Sequence, residues 1–358
     1  MIILRRCRSL ASLPALLLPL AAGPAAAQDN FFAGKQVSLI ISTGVGGGLD
    51  SNARVVARHL GNHLPGKPVI VPKNMPGAGH VRAANYLYNQ APKDGTVIGT
   101  LIPSFVLAQV LDGRGIQFDA GKFTWLASTS SSNSTIYFWK ATGLTSIDDA
   151  FKRQIVMGGT GVGSYTTLYP TIMNNVLGTK FKIIAGYESS AEVGLAMERG
   201  EVEGRAGNNF NSLKAENPEW LRDGKIVLAA QVGLERNPDY PNLPLISDFA
   251  KNDEQRQILR LFSVDVVIGR PFLAPPGLPA ERAAQLRRAF DEMMKDPAFL
   301  KEAAEAALDV EPVDGAKIQK IVEQLVGTPP DIVAKAKAAM APKDVVDQSK
   351  GKPGAKPQ

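Results

Sequence analysis

Two stretches of this chain read alike, and together they constrain its fold more than any other feature. Residues 37–41 are a short β-branched run, followed by Gly44-Val45-Gly46-Gly47-Gly48 and an amphipathic helical pattern over 50–64. Residues 155–157 lead into Gly158-Gly159-Thr160-Gly161-Val162-Gly163-Ser164, and a helical pattern covers 165–177. Strand, glycine loop and helix thus recur about 115 residues apart. Further strands are expected at 68–71, 97–102, 181–184 and 226–232, with a strand end at 202–206. Helices are expected at 79–89, 190–199, 279–294 and 297–307. Such alternation predicts an α/β fold with mostly parallel sheets flanked by helices. Phe123, Trp125, Tyr137, Phe138 and Trp139 read as core or interlobe packing.

A glycine loop that opens a helix presents unpaired backbone N–H groups and the positive end of the helix dipole, so it binds an anion without a charged side chain. Thr43, Thr160 and Ser164 add hydroxyl donors beside those amides. Asp50 is placed to cap the first helix and hold the loop's shape. Either loop alone is equally a tight turn that satisfies its own helix end. Two such loops in separate α/β halves point further, because ligands of open α/β sheets sit outside the carboxyl ends of the strands. Asn208, Asn209 and nearby Asn211 offer amides to a ligand or form a turn. Tyr187 reads as a cleft wall or as plain packing.

Other chemistries lack their residues. Neither loop continues to Gly-Lys-Ser/Thr, and Leu49 and Thr166 stand where a dinucleotide fingerprint wants glycine. Ser164 lacks the hydrolase elbow. His59 and His63 share a helix face at i, i+4, but Leu60-Gly61-Asn62 between them lacks the glutamate of a zinc protease. No cofactor or metal is expected. Arg5, Arg6 and Arg8 precede an apolar run over 10–20 and the small residues Ala25-Ala26-Ala27, which reads as a signal peptide cleaved near Ala27. The sole cysteine, Cys7, lies in that segment, so the exported chain has no disulfide or thiol nucleophile. Its removal lowers the formal charge from +6 to +3, and the dispersed basic residues do not form a nucleic-acid surface. Residues 343–358, rich in Lys, Pro and Gly, read as a disordered tail.

Six ordered motifs between about 37 and 340 carry a resemblance. They are Ile40-Ile41-Ser42-Thr43-Gly44-Val45-Gly46-Gly47-Gly48-Leu49-Asp50, Asn74-Met75-Pro76-Gly77-Ala78-Gly79-His80, Ala91-Pro92-Lys93-Asp94-Gly95-Thr96, Gly161-Val162-Gly163-Ser164, Tyr187-Glu188-Ser189-Ser190-Ala191 and Leu273-Ala274-Pro275-Pro276-Gly277-Leu278-Pro279. In this the chain resembles the Bug/TctC solute-binding proteins of tripartite tricarboxylate transporters. The resemblance implies a two-lobe periplasmic binding protein of type II-like fold, with a ligand cleft between lobes and a chain that crosses between them twice. Lobe 1 would be 29–130 plus 265–342, and lobe 2 would be 131–264. It implies a monomeric, non-enzymatic periplasmic receptor that closes on a small carboxylate and delivers it to membrane permease subunits. The glycine loops would grip the carboxylate through Thr43, Gly44, Val45, Gly46 and Gly47 and through Thr160, Gly161, Val162, Gly163 and Ser164. Ser104 and Tyr187 to Ser190 would wall the pocket. Ser42-Thr43 replaces the family's Pro-Phe, Glu188-Ser189 its Lys-Gly, and Thr167 its His. The rival readings are an exported cleft hydrolase, with Glu188 or Asp50 as base, and a ligand-sensing subunit for a signalling receptor.

Overall fold

The computed structural model describes residues 30–348 apart from Gly47, Val162 and Gly163, with the backbone only of Ala215. The export segment at 1–27 and the tail beyond 348 lie outside the described residues. The chain begins β1 (Gln36–Ile41), α1 (Gly48–His59), β2 (Val69–Asn74), α2 (Val81–Asn89), β3 (Val97–Thr100), α3 (Ser104–Leu111) and β4 (Thr124–Ser128). A second unit follows with β5 (Ser134–Trp139), α4 (Asp149–Lys152), β6 (Ile155–Gly159), α5 (Tyr165–Leu177), β7 (Phe181–Ala185) and α6 (Ser190–Glu198). It continues through β8 (Gly204–Asn209), α7 (Phe210–Glu216), α8 (Pro218–Arg222), β9 (Ile226–Val232) and α9 (Asp253–Ile268). The chain then supplies β10 (Pro271–Ala274), α10 (Ala280–Met293), α11 (Pro297–Glu305), β11 (Val313–Asp314), α12 (Gly315–Val326), α13 (Pro330–Ala339) and β12 (Val345–Asp347).

Two six-stranded sheets result, ordered β11-β4-β10-β3-β1-β2 and β12-β7-β6-β8-β5-β9. Each is the heart of one lobe. The strand β1 shows why: Val37, Leu39 and Ile41 bury against α1 and α10, while Ile40 buries on the opposite face. A strand apolar on both sides belongs in the middle of a sheet covered by helices. Helix α1 presents Leu49, Ala53 and Val56 at helical spacing to the same core. It starts at Gly48, earlier than the predicted residue 50, and gives way to a 3₁₀ turn at Leu60–His63. Phe123, Trp125, Tyr137 and Phe138 are buried core residues, as expected.

The sheets are mixed, with four of six strands in the first and five of six in the second running one way. β1, β2 and β3 run together, as do β6, β7, β8 and β12. β5 and β10 are antiparallel to their neighbours. The reason lies in the connections. β5 follows β4 across the first crossing and β10 follows α9 across the second, so each enters its sheet directly from the crossing and runs opposite to its neighbours.

Residues 343–348 depart from the expected disordered tail. β12 pairs parallel with β7, and Asp344 fixes it by accepting from Ile183 N (2.9 Å). The short apolar pair Val345-Val346 suffices because the edge of β7 offers an open ladder. The chain therefore crosses between lobes three times rather than twice. The first two crossings are laced together: Thr129 N donates to Arg270 O (3.2 Å), Arg270 N to Ser130 O (3.0 Å), and Glu311 N to Thr129 O (3.0 Å). Gly269 stands at their closest approach, where a β-carbon would lie 1.7 Å from Ser130 O. Behind the crossings, α13 packs on α3, α5 and α9. One apolar cluster runs unbroken from Phe105 and Trp125 in the first lobe through Phe262 to Met157 and Phe181 in the second.

Candidate ligand-binding cleft

Both glycine loops leave the carboxyl ends of parallel strands, the first after β1 and the second after β6. Gly44, Val45 and Gly46 are exposed, and Val45 stands 77% open to solvent. The loop is shaped from beneath. Asp50, only 2% exposed, accepts from Gly46 N (2.8 Å), Arg54 Nε (2.9 Å) and Asn74 Nδ2 (2.8 Å). The bond from Arg54, followed by those from Asn74 and Gly46, outweighs burial and holds the Asp50 carboxyl down at about 2. Gly46 sits at φ +90, where other residues are strained. Asn74 also donates to Thr43 O (2.9 Å), and His80 Nδ1 meets Ser42 O at 3.1 Å. Asp50 is thus spent on the loop and lies under it rather than in the cleft. The Thr43 hydroxyl is buried with no partner.

The second loop is held by hydroxyls. Ser164 precedes α5 without a side-chain bond to the helix end; its Oγ donates to Gly161 O (2.8 Å) and lies 2.6 Å from Thr166 Oγ1. Thr160 N and Gly161 N donate to Thr166 Oγ1 and Ser164 Oγ (2.9 and 3.3 Å). The Ser164 side chain is folded back into its own loop. Gly47, Val162 and Gly163 lie outside the described residues.

The remaining predicted residues divide. Ser104 is half-buried at the start of α3, beside Ile102, whose N–H donates to Ser42 Oγ (3.2 Å). Tyr187 is packed with Val193 and Trp220, and burial raises its pKa. Ser190 accepts from Arg205 Nη2 (2.6 Å) at the head of α6. Asn208 and Asn209 belong to β8 itself, not to a turn after a strand ending at 206. A register shift opposite Thr135 and Ile136 carries the strand further. Asn208 is 4% exposed with an unpartnered Nδ2, whereas Asn209 caps α7 by accepting from Ser212 N (2.6 Å). Asn211 spans the lobes, donating to Glu311 Oε1 (2.9 Å). His59 pairs with Glu302 of α11 and His63 with Asp296 just before it, both part-buried bridges. Among the described residues no His, Cys, Asp and Glu cluster suited to a metal is found.

Three features of the cleft have no local sequence signal. Arg270 enters β10 at the cleft end of the first sheet, and its Nη2 lies 3.8 Å from where a β-carbon on Gly48 would stand. Its Nη1 is buried without a partner, and burial lowers its pKa, partly opposed by Asp309. Asn52 of α1 exchanges buried bonds with the Thr129 hydroxyl at the crossing (3.1 and 3.2 Å). Tyr165, first in α5, donates to Asp265 Oδ2 near the end of α9. Burial pushes Asp265 up to about 6, and its Oδ1 is unpartnered. A cavity of about 790 Å³ also lines the interlobe seam between Leu234–Pro238 segments and α12, and no glycine-loop residue borders it.

Comparison with known proteins gives concordant matches. The family model described as "Tripartite tricarboxylate transporter family receptor" matches residues 52–337. A UPF0065 protein of Cupriavidus necator is 27% identical over 311 residues, covering 82% of this chain and 85% of that protein. A UPF0065 protein of Bordetella bronchiseptica is 26% identical over 309 residues, with the same coverage. Among solved structures, a TctC solute binding protein from Polaromonas without ligand superposes with TM-score 0.66 at 18% identity, over 86% of this chain and 98% of that one. An adipate-bound protein of R. palustris gives 0.53 at 21% identity, over 85% and 97%. MatC of Rhodopseudomonas palustris with bound malate gives 0.51 at 17% identity, over 87% and 100%. At these identities the structures establish the two-lobe fold. No helix of the described residues is long and apolar enough to cross a membrane.

Proposed function

The chain belongs to the tripartite tricarboxylate transporter receptor family, and from that premise we propose that it captures a small carboxylate between its lobes and presents it to membrane permease subunits. The supporting observation is the pair of glycine loops at the carboxyl ends of β1 and β6, the first pinned open by Asp50. In this reading loop amides that are not already bonded within the fold, such as those of Gly44 and Val45, donate charge-assisted bonds to one carboxylate, strengthened as water leaves the closing cleft. Residues near 130 and 265 bound the lobes and take up the rotation. The protein acts in the periplasm as a monomer, after cleavage near Ala27. Malate and adipate, the ligands of two structural relatives, mark the ligand class to test first.

A cleft hydrolase needs a free general base, and Asp50 is committed to three donors under the loop. The family of this chain consists of receptors rather than enzymes.

The test is a thermal-shift screen of residues 28–358 against malate, adipate, citrate, glutamate, benzoate and nicotinate. A ligand at a hundredfold its Kd adds about 2.7 kcal/mol, a rise of several degrees. Stabilisation by related acids supports the reading. A folded protein that responds to none of them, or that turns one over, refutes it.

A further inference from the structure

The carboxylate-receptor reading rests on backbone amides, yet the cleft also holds a cation that no ion pair holds and that only the field of Asp309 partly offsets. Arg270 has no side-chain hydrogen bond or ion pair among the described residues, and its Nη1 is buried. Exposed arginines of this chain find acids readily: Arg236 reaches Asp248, and Arg153 reaches Glu203. Arg270 instead projects toward Gly48, the first residue of the twelve-residue helix α1. Two sources of positive potential thus converge, a guanidinium and a helix amino end. A half-buried cation with no ion pair, its Nη1 cut off from water, is costly to keep. The cost is recovered when an anion arrives, and a planar guanidinium fork suits a carboxylate.

We infer that Arg270 is the counter-ion of the carboxylate bound at the first glycine loop, sharing that anion with the amino end of α1. The inference depends on the receptor reading and adds to it a requirement for an ionised ligand. It also places the ligand's charge on the crossing itself. The peptide of Arg270 is bonded to Thr129 and Ser130, so a grip on its side chain pulls directly on the segment about which the lobes turn.

The experiment compares wild type, Arg270→Lys and Arg270→Gln by calorimetric titration with the acid that stabilises wild type best, at low and at high sodium chloride. Thermal midpoints without ligand are measured alongside. Loss of one charge-assisted bond predicts roughly 10- to 150-fold weaker binding for Arg270→Gln at low salt. The deficit should narrow at high salt, and Arg270→Lys should fall between. The unliganded midpoint of Arg270→Gln should equal or exceed that of wild type, because an uncompensated charge has been removed. Unchanged affinity in Arg270→Gln overturns the inference while leaving the receptor reading intact. So does a salt-independent loss accompanied by a lower unliganded midpoint, the mark of a structural arginine. If wild type binds none of the acids, the receptor reading fails and this inference fails with it.

Discussion

Gly269→Ala is the substitution for which the structure makes the sharpest demand. Gly269 has φ +59 and ψ −108, a combination that side-chain-bearing residues scarcely tolerate. Its added β-carbon would stand 1.7 Å from Ser130 O, well inside contact distance, and 3.1 Å from Ser131 Cα. The obstacle is backbone, so no rotamer change relieves it. Residue 269 keeps its strained conformation only if the two crossing segments also separate. The conformational strain is worth about 1–3 kcal/mol. Separation forfeits the bonds from Arg270 N to Ser130 O and from Thr129 N to Arg270 O, at about 1 kcal/mol each. The total is roughly 3–5 kcal/mol, which lowers the thermal midpoint of a chain this long by about 4–8 °C. Differential scanning calorimetry of wild type and variant measures it. Gly44→Ala is the control, since nothing lies within 4 Å of its β-carbon and its φ is ordinary. If Gly269→Ala melts within a degree of wild type, the tight apposition of the crossings is wrong.

Two further substitutions and a truncation probe other parts of the molecule. Burial raises Asp265 to about 6, so the folded state binds more protons than the unfolded one between about pH 4 and 6. Stability should therefore fall by about 3 kcal/mol as pH rises through that window and level off above it. Asp265→Asn should flatten this component of the midpoint profile between pH 4.5 and 7.5, and an unaltered profile counts against the buried charge. Asp50 has the opposite sign: its contribution is present above about pH 4 and lost as pH falls toward 2. Asp50→Asn keeps the shape but drops two charge-assisted bonds. Ligand affinity at neutral pH should then fall at least tenfold by calorimetric titration, and an unchanged Kd would show that the loop holds itself. Ending the chain at residue 342 removes β12 and Asp344, which should cost about 1–2 kcal/mol in urea unfolding. An identical midpoint would mean that the strand adds nothing to the second lobe.

Much of the framework is legible in the sequence wherever one segment carries its own signal. The helix at Tyr165–Leu177 and the strand at Ile226–Val232 fall on the predicted residues, because glycine punctuation and apolar runs mark their ends. The aromatic run around Trp125 and Tyr137 reads correctly as core but not as β4 and β5, since strands buried on both faces show no alternation. Helix α9 escapes notice for a related reason. Ile258, Phe262, Asp265 and Ile268 are all buried, and Asp265 breaks the apolar stripe with a group that only Tyr165 explains. The glycine loops are legible as loops, yet the role of Asp50 beneath the first depends on Arg54 and Asn74. Arg270 is invisible in the same sense. Its meaning comes from a helix more than two hundred positions earlier in the chain, and nothing local distinguishes it from an ordinary arginine.

The third crossing has a mechanical consequence. The first two crossings are bonded side by side and act as a single tether at the head of β5. β12 lies at the far edge of that sheet, four strand spacings from β5, which is about 19 Å. Two attachment points that far apart define a line. In the lobe closure proposed above, one lobe would swing about that line rather than swivel across it, much as a door hung on two hinges differs from one hung on a single pin. The last few residues of the described chain would thereby set the direction in which the cleft opens.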